Sequence, residues 1–384
     1  MDADMKPKGS GWEKQVPPPR EGPRIAGREG EPTSREAATA RNETVRVVVT
    51  IDTEPDNVWE NHASPSVTNV RELPRLQSLL AKSGAQGTYL VTSRVIQDPA
   101  AVEVLRHLVD TGGGEIGAHL HPWESPPFTE SGVDITYPIF PHELSPEIFG
   151  RKLAGLTGAI AQCFSPPTSY RGGRWSIAPE HISVLEQAGF EVDTTVTPLI
   201  DWHKTMGIPV EHKGRGGMDY RLAPRHPYHP DYADVTRKGS ARILEIPVTV
   251  AFTHRMPSFI RCKYGAMPTV VQRVLRRFGL LKPVWAMPAQ ETEEDLAQML
   301  SVATREEVTV INIALHSSEL MVGGAPWSRT EAEAEGALSR LASMLGVLAS
   351  SGVCVFTTLT DAARWWKARQ ALMSTGTQKG PGVR

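Results

Sequence analysis

The 384-residue sequence lacks most features that mark secreted, membrane-spanning or nucleic-acid-binding proteins. Its three cysteines, Cys163, Cys262 and Cys354, are far apart and form no CxxC pair, zinc knuckle or disulfide framework, which favours a reducing compartment. No apolar run is long enough to span a bilayer, and the N-terminal region contains no apolar core of the kind that a secretion signal needs. The net charge of −2 gives no general reason to expect nucleic acid as a partner. We therefore expect a cytoplasmic protein.

Several common catalytic signatures are also missing. There is no GxSxG nucleophile elbow, no GxxxxGK(S/T) phosphate loop and no HExxH metalloprotease helix. One GxGxxG match, Gly112–Gly117, leads into a strand-like segment instead of following a strand into a helix, so we interpret it as a chance match. These absences argue against serine hydrolases of the elbow type and against nucleotide-binding folds.

The composition divides the chain into a folded domain and two tails. Residues 1–43 are rich in Pro, Gly, Glu and Arg, and such a segment buries too little apolar surface to offset the entropy of ordering it. We expect a disordered N-terminal tail over 1–43, a folded domain over 44–371 and a flexible C-terminal tail over 372–384.

Within the folded domain, strand-like and helix-like segments alternate. The predicted strands are 45–51, 87–91, 115–118, 168–171, 190–196, 242–250, 308–315 and 353–357. This alternation predicts an α/β fold in which a parallel sheet of seven to eight strands closes as a distorted (β/α) barrel, with an open doubly wound sheet as the alternative. Two long insertions, 122–144 and 200–241, are expected to lie on its catalytic face and shape the substrate pocket, the alternative being insertions that the surface merely tolerates.

Two pairs of polar residues follow the first and third strand-like runs. Asp52 and Glu54 form one pair, and His119 and His121 form the other. Side chains two residues apart on extended backbone point to the same face. Imidazoles suit zinc and similar ions, while a carboxylate pair can supply one metal ligand and one general base. Loop acids exposed to solvent and structural histidines are the alternatives, but the two pairs together favour a metal-dependent hydrolase.

Two more strand ends carry candidate residues. Arg171 could pair with a catalytic carboxylate and hold it ionised, the alternative being an ordinary ion pair. His316 is suited to donate a proton to a leaving group because the pKa of histidine lies near neutrality, the alternative being a structural histidine at the barrel rim. Because the carboxyl ends of parallel barrel strands open on one face, we expect these residues to meet there.

Two basic segments suggest binding partners. The insertion 200–241 is rich in Arg and His, which would suit the phosphates of a nucleotide-linked or lipid-linked sugar precursor, with Arg221 and Arg225 as the residues to test. Residues 270–278 have the spacing of an amphipathic helix with arginines between its apolar positions. We expect its apolar side to face the core, with at most a weak contact between 267–282 and an anionic membrane surface.

In chain order, these motifs resemble those of the polysaccharide deacetylase family, a carbohydrate esterase type whose domain is shared with chitooligosaccharide deacetylases. The resemblance covers about Val45 to Trp366, and the five matching segments are 50–54, 117–122, 170–171, 201–202 and 315–316. Two motifs differ from the usual pattern. The second acid is Glu54 instead of an aspartate adjacent to Asp52. The second histidine lies two residues after His119, and the usual position four residues after it is held by Trp123.

The resemblance implies a distorted barrel that holds a divalent ion, with Zn²⁺ as the expected metal. The implied metal ligands are Glu54, His119 and His121, and the catalytic residues are Asp52, Arg171, Asp201 and His316. The resemblance implies that Trp202 lines the substrate pocket, and we expect Trp123 and Trp175 to contact the substrate as well. Asp52 would take a proton from a water, and Arg171 would keep it charged. His316, oriented by Asp201, would protonate the leaving amine.

The function expected from these residues is hydrolysis of an N-acyl, most simply N-acetyl, group on a saccharide or saccharide precursor. Two alternatives stay open. One is an amidohydrolase that uses the same site on a small non-sugar amide. The other is a non-catalytic carbohydrate-binding barrel, which the altered first and second motifs would favour.

Overall fold

The computed structural model describes residues 45–376, apart from 65, 131–132, 135–137, 204–215, 256, 258–259, 261–262, 279 and 306–307. The N-terminal tail expected over 1–43 lies outside the described residues, as does 377–384 of the expected C-terminal tail. The last helix continues to Gly376, five residues beyond the end predicted for the folded domain.

The described elements alternate along the chain much as the sequence predicts. The strands are β1 (Val45–Thr53), β2 (Gly87–Val91), β3 (Glu115–Leu120), β4 (Thr129–Glu130), β5 (Val133–Asp134), β6 (Ser169–Gly172), β7 (Val192–Asp193), β8 (Leu244–Glu245), β9 (Val250–Phe252), β10 (Pro283–Trp285), β11 (Val310–His316) and β12 (Cys354–Phe356). The α-helices are α1 (Leu73–Lys82), α2 (Ser93–Gln97), α3 (Pro99–Gly112), α4 (Pro146–Cys163), α5 (Pro179–Gln187), α6 (Thr269–Arg277), α7 (Glu293–Ala303), α8 (Glu331–Ser350) and α9 (Leu359–Gly376). Short 3₁₀ helices cover Thr68–Glu72, Pro141–Glu143, Gly173–Trp175 and Ser317–Leu320.

The main sheet has eight strands, and all of its strand pairs are parallel. Its order is β11-β1-β2-β3-β6-β7-β8, with β12 pairing with the start of β1. The sheet curls strongly, because Arg171 on β6 contacts Asp52 on β1 although two strands lie between them. In a flat sheet those strands would be about 14 Å apart. The fold is a distorted parallel (β/α) barrel, and this prediction is confirmed.

The barrel wall is interrupted between β8 and β11. The single strand predicted over 242–250 forms instead as β8 and β9, and β9 pairs antiparallel with β10 outside the main sheet. Irregular backbone fills the gap: the N–H of Thr249 donates to Asn312 O at 3.1 Å, and that of Ala314 donates to Ala286 O at 2.9 Å. Pro247, which has no N–H to donate, lies between β8 and β9 and favours this break.

Local sequence signals define the ends of the helices that surround the sheet. Helix α3 begins at Pro99 after Asp98, whose carboxylate accepts a hydrogen bond from the Ala101 N–H at 2.8 Å, and it is followed by Gly113, the C-cap residue, which has a φ of 64°. Helix α8 begins with a capping box in which Thr330 and Glu333 satisfy each other's backbone N–H groups. Such caps let the apolar faces of the helices pack on the outside of the barrel, where Leu105 and Leu341 are fully buried.

Helix α6 is the exception to this packing. The amphipathic helix predicted at 270–278 forms, but the expectation that its apolar side faces the core is wrong, because Val270, Val274 and Phe278 are exposed. Its Leu275 is only partly buried, against a small cluster that is separate from the main core. Among the helices in the described part of the chain, none has the length and apolar content needed to cross a membrane.

Candidate functional site

Register alone brings four of the predicted site residues to one end of the barrel. Asp52 is the strand partner of His316 in the β1–β11 pair, and His119 is the partner of Arg171 in the β3–β6 pair. Glu54 and His121 follow β1 and β3 directly, so each lies on the same side as its neighbour two residues earlier. All six side chains are at least nine-tenths buried. The sequence-predicted groups therefore converge on one buried point.

The two histidines face each other through their Nε2 atoms, which are 3.0 Å apart. Each Nδ1 is engaged on the far side of its ring. His119 donates from Nδ1 to the backbone oxygen of Arg171 at 3.0 Å, and the Nδ1 of His121 lies 2.7 Å from a carboxylate oxygen of Glu124. Such partners fix the ring orientation and leave Nε2 as the coordinating atom, which is the usual arrangement around metal-binding histidines.

Glu54 completes a three-residue group that fits a divalent ion. One of its carboxylate oxygens lies 3.3 Å from His121 Nε2 and 3.7 Å from His119 Nε2. Its other oxygen, Oε1, is buried and has no hydrogen-bond partner among the described residues. An unpaired buried carboxylate oxygen beside two converging imidazole nitrogens matches the nitrogen and oxygen ligand set of zinc sites. These residues therefore fit the divalent ion expected from the sequence.

The electrostatics of the group favour a positive charge between the ligands. Burial lowers the pKa of His121, but the carboxylates of Glu124 and Glu54 outweigh it and raise that pKa to about 10. Burial raises the pKa of Glu54, but the charge of His316 and the hydrogen bonds of the two histidines hold it well below its usual range. The same negative groups that stabilise a proton here would stabilise a divalent cation.

Asp52 lies beside the candidate ligands and is held ionised. Its Oδ1 accepts from Arg171 Nη1 at 2.5 Å, while its Oδ2 lies 3.9 Å from His119 Nε2 and 3.5 Å from His316 Nε2. Burial alone would raise the pKa of Asp52, but the guanidinium of Arg171 and the charges on the two histidines hold it below its ordinary value. Asp52 is thus a carboxylate placed between the candidate ligands and His316.

Arg171 itself is fully buried and is fixed from several sides. Its Nε donates to the backbone oxygen of Thr194 at 3.0 Å, and its Nη2 donates to the hydroxyl of Thr50 at 2.8 Å. Its guanidinium lies 4.8 Å from the ring centre of Trp175. Because all three guanidinium nitrogens donate hydrogen bonds, the charge of Arg171 is held on Asp52 with little freedom to move.

The carboxylate beside His316 is Glu319, and the expectation that Asp201 orients this histidine is wrong. The Nδ1 of His316 lies 3.2 Å from Glu319 Oε1. Glu319 is fully buried, and it accepts from the His316 backbone N–H at 2.9 Å and from Trp327 Nε1 at 2.9 Å. Burial lowers the pKa of His316, but the carboxylates of Glu319, Glu54 and Asp52 outweigh it and raise that pKa to about 9.

Asp201 belongs to a separate, partly exposed group. It lies 3.2 Å from the Nδ1 of His203 and 3.9 Å from the Nε of Arg221, and it forms an isolated bridge with Asp219. Arg221 also makes a two-pronged contact with Asp219. The charge of Arg221 is therefore already paired. Neither Arg221 nor Arg225 lines the cavity described below. The expectation that these two arginines receive substrate phosphates is not supported by their positions.

Gly173 lets the turn after β6 approach the second candidate ligand closely. A Cβ on Gly173 would lie 2.6 Å from the Cδ2 of His121 and 2.7 Å from the backbone oxygen of Leu120, too close for any other residue. The next two residues, Arg174 and Trp175, both have positive φ angles of about 55°. This strained turn places the Trp175 ring over Arg171 and within 6.3 Å of the His316 ring.

Lys152 of α4 anchors the loop that follows His121. Its ammonium is fully buried and donates to the backbone oxygens of Pro122, Ser125 and Pro127 at 2.5 to 2.7 Å. The loop between these carbonyls carries Trp123, which stacks on the His121 ring at 4.4 Å, and Glu124, which holds the His121 Nδ1. The lysine thus fixes the segment that orients a candidate ligand.

A cavity of about 380 Å³ opens above these residues and is walled largely by indole rings. Its lining includes the three predicted tryptophans and three that sequence reasoning missed: Trp123, Trp175, Trp202, Trp59, Trp285 and Trp327. His62 and Arg174 add polar groups. Trp59 lies in the loop that follows β1, shortly after the motif 50–54 but outside it, and Trp285 lies on β10, away from the predicted motifs. The HxxE spacing of His316 and Glu319 is the signal that could have identified Glu319.

Comparison with known proteins supports this architecture through structure alone. No protein-family model matches the chain, and no curated protein matches its sequence. A "putative polysaccharide deacetylase" of Mycobacterium smegmatis superposes over 86% of this chain and 92% of its own, with a TM-score of 0.50 and 15% identity. A "putative glycoside hydrolase/deacetylase" of Parabacteroides distasonis superposes over 85% of this chain and 71% of its own, with a TM-score of 0.55 and 11% identity. The chain therefore has the fold of a polysaccharide deacetylase-like domain.

Proposed function

We propose that this protein is a metal-dependent hydrolase that removes an N-acetyl group from a saccharide or saccharide precursor. The observation that carries the proposal is the convergence of two oriented imidazole Nε2 atoms and an unpaired Glu54 oxygen beside a buried Asp52. When bound by Glu54, His119 and His121, a divalent ion supplies a Lewis acid and lowers the pKa of a water.

The remaining steps belong to the side chains of this chain. Asp52, held ionised by Arg171, takes the proton of the attacking water. His316, on the other side of Asp52 and held charged by Glu319, donates a proton to the departing amine. Acid and base are thus neighbours, with His316 Nε2 3.5 Å from Asp52 Oδ2, so one can accept the proton of the water and the other can protonate the amine.

The shape and chemistry of the cavity support a saccharide as the substrate. Six indole rings offer flat, apolar surfaces of the kind on which the C–H faces of a sugar ring can stack. Its volume of about 380 Å³ is at the small end for ligand pockets and suits one or two sugar units. We therefore propose that a terminal or isolated N-acetyl sugar enters the site, in preference to the middle of a long polymer.

The test combines metal analysis with deacetylation of N-acetylated mono- and oligosaccharides by the full chain. We expect about one divalent ion per chain, loss of activity with chelator, and loss of both metal and activity in His121→Ala. His107→Ala removes an exposed histidine on α3 and serves as the matched control, which should keep both.

Two further outcomes separate the alternatives. Asp52→Asn should retain metal but lose activity, because it removes only the base. Bound metal with hydrolysis of simple acylamides and none of sugars would identify an amidohydrolase, and sugar binding with no hydrolysis of any amide would identify a binding protein. Full activity of a metal-free His119→Ala protein would overturn the mechanism.

A further inference from the structure

Helix α6 carries a set of exposed apolar residues on one side. The exposed fractions are 64% for Val270, 43% for Val271, 48% for Val274 and 69% for Phe278, which follows the helix directly. Successive helical residues are rotated by about 100°, so these four fall within an arc of about 100° around the axis. Leu280, just beyond, is 60% exposed. Exposed apolar residues scattered singly need no explanation, but a continuous stripe indicates an interaction surface.

The helix is attached to the domain by a different face. Leu275 packs against a cluster that contains Phe252 and Tyr264. Gln272 donates from its amide to the backbone oxygens of Tyr264 and Met267 at 2.9 and 3.0 Å. Leu275 and Gln272 lie outside the arc of the exposed valines, so the helix can stay docked on the domain while its apolar stripe contacts something else.

The surroundings of the stripe are strongly basic. Arg273, Arg276 and Arg277 occupy a neighbouring arc of about 100° and are all exposed. The segment 246–290 contains seven Lys and Arg residues and no Asp or Glu, although the whole chain has a net charge of −2. Lys282, which lies beyond the end of α6, is paired with Asp295 of α7. Glu291, just outside this segment, interacts electrostatically with Arg276.

We propose that α6 is a membrane-surface helix that lies in the headgroup region of an anionic phospholipid bilayer, with Val270, Val271, Val274 and Phe278 towards the acyl chains. A short apolar stripe flanked by arginines, with little overall hydrophobicity, is the pattern of helices that lie on a membrane and do not cross it. The arginines would meet lipid phosphates or carboxylates.

Charge favours this occupant over two others. A second copy of the chain on the same face would bring two sets of arginines together, which repel each other, and Glu291, the acid that interacts with Arg276, is partly buried and already lies 4.0 Å from Lys282. The N-terminal segment 1–43 contains eight acidic and eight basic residues, so it offers no net complementary charge. A negatively charged lipid surface satisfies both the arginines and the apolar stripe.

Helix α6 shares a packing cluster with the wall of the candidate active-site cavity. Leu275 of α6 and Trp285 of the cavity wall pack against the same apolar cluster. Membrane docking would therefore bring this side of the domain towards the lipid surface. The inference does not depend on the proposed reaction, because binding can be measured without a substrate.

The experiment is co-sedimentation of the full chain with vesicles of phosphatidylcholine alone and of phosphatidylcholine mixed with phosphatidylglycerol. We expect binding to the anionic vesicles that weakens as salt rises from about 0.1 M to about 0.5 M, because salt screens charges at the surface. Val274→Asp should abolish this binding. Arg276→Gln with Arg277→Gln should weaken it about twenty-fivefold, since each basic residue near an anionic membrane contributes about a factor of five.

Matched variants keep the result specific to α6. Val347→Asp is the control for Val274→Asp, because it introduces the same charge at a valine of equal exposure, 48%, on α8. Arg106→Gln with Arg305→Gln is the control for the double arginine variant, because it removes two exposed arginines outside α6. These controls should bind as the unaltered chain does, and unchanged thermal melting of Val274→Asp would show that it folds. Three outcomes would overturn the proposal: no binding to anionic vesicles, equal loss in the controls, or a dimer in sedimentation equilibrium that Val274→Asp dissociates.

Discussion

Replacing Glu319 by glutamine tests whether this residue, and not Asp201, controls the charge of His316. The Nδ1 of His316 lies 3.2 Å from the Glu319 carboxylate, and both side chains are buried. At that separation, with an effective dielectric constant of about 20, two unit charges attract by about 5 kcal/mol. Part of this attraction survives as the dipole of the glutamine amide. We therefore expect the pKa of His316 to fall from about 9 by two units or so, towards the ordinary histidine value of about 6.5.

The direct measurement is an NMR titration of the histidine ring protons in the metal-free full chain, with His316→Ala to assign the resonance. Asp201→Asn is the matched control, since it also neutralises one carboxylate but lies in the group around Arg221. It should leave the pKa of His316 unchanged. Glu319→Gln also removes one hydrogen-bond acceptor. The two carboxylate oxygens of Glu319 accept from the His316 backbone N–H and from Trp327 Nε1, whereas the glutamine side chain has a single oxygen for both donors. We expect a loss of about 1–3 kcal/mol in unfolding free energy.

Activity provides a second readout that a merely structural role would not reproduce. With an acetylated sugar as substrate, Glu319→Gln should lower kcat by about a hundredfold with a small change in KM, since general acid catalysis typically contributes at least that much. The high-pH decline of its rate should move to lower pH along with the pKa. If Glu319→Gln left the pKa of His316 within about half a unit of the original, or if Asp201→Asn lowered it equally, the assignment of Glu319 would be refuted.

Two more predictions concern buried charges away from the reacting groups. Lys152→Met should lower the unfolding free energy by about 3 kcal/mol, because it leaves three backbone carbonyls unpaired, whereas Lys82→Met on the surface of α1 should change it by less than about 0.5 kcal/mol in urea unfolding. The second prediction concerns Asp193 and Glu245, which are register partners on the neighbouring strands β7 and β8. Burial raises the pKa of both carboxyl groups, to about 6 for Asp193. The folded state binds protons on these two carboxyl groups more tightly than the unfolded state does. Their contribution to the free energy of unfolding is therefore fully present below about pH 4 and is lost as the pH rises through their raised pKa values. Urea unfolding between about pH 5 and about pH 8 should show a smaller decline for Glu245→Gln, and an unchanged decline would contradict the argument.

The sequence predicts how the candidate site residues are placed where the backbone geometry is regular. Asp52 and His119 lie within strands, and Glu54 and His121 lie one residue beyond them, so the two-residue repeat of extended backbone correctly places each pair on one face. The pairing of Asp52 with His316 follows from parallel register once the strands are known. These inferences need only local patterns and the rule that the carboxyl ends of barrel strands share one face.

The sequence fails where the partner of a residue is chosen by packing in space. The order of motifs assigns Asp201 to His316, but the 3₁₀ turn after β11 brings Glu319, three residues away, to the ring instead. Trp59 and Trp285 reach the cavity from a loop and from a strand outside the main sheet, so no periodicity marks them. For α6, the spacing predicts the helix but cannot say which of its faces meets the domain.

The two candidate ligand histidines are oriented by different parts of the fold, because His119 lies within β3 and His121 lies beyond it. His119 is inside β3, and its ring is held by the neighbouring strand through the Arg171 carbonyl. His121 lies beyond the strand, so its ring direction depends on Glu124 and on stacking with Trp123, both on the loop that Lys152 anchors. A change that loosens this loop should therefore weaken metal binding without disturbing the strand ligands. Lys152→Met, if it folds, should bind zinc more weakly than the unaltered chain even though Lys152 contacts no ligand directly, and equal affinity in calorimetry would show that His121 is positioned by the strand alone.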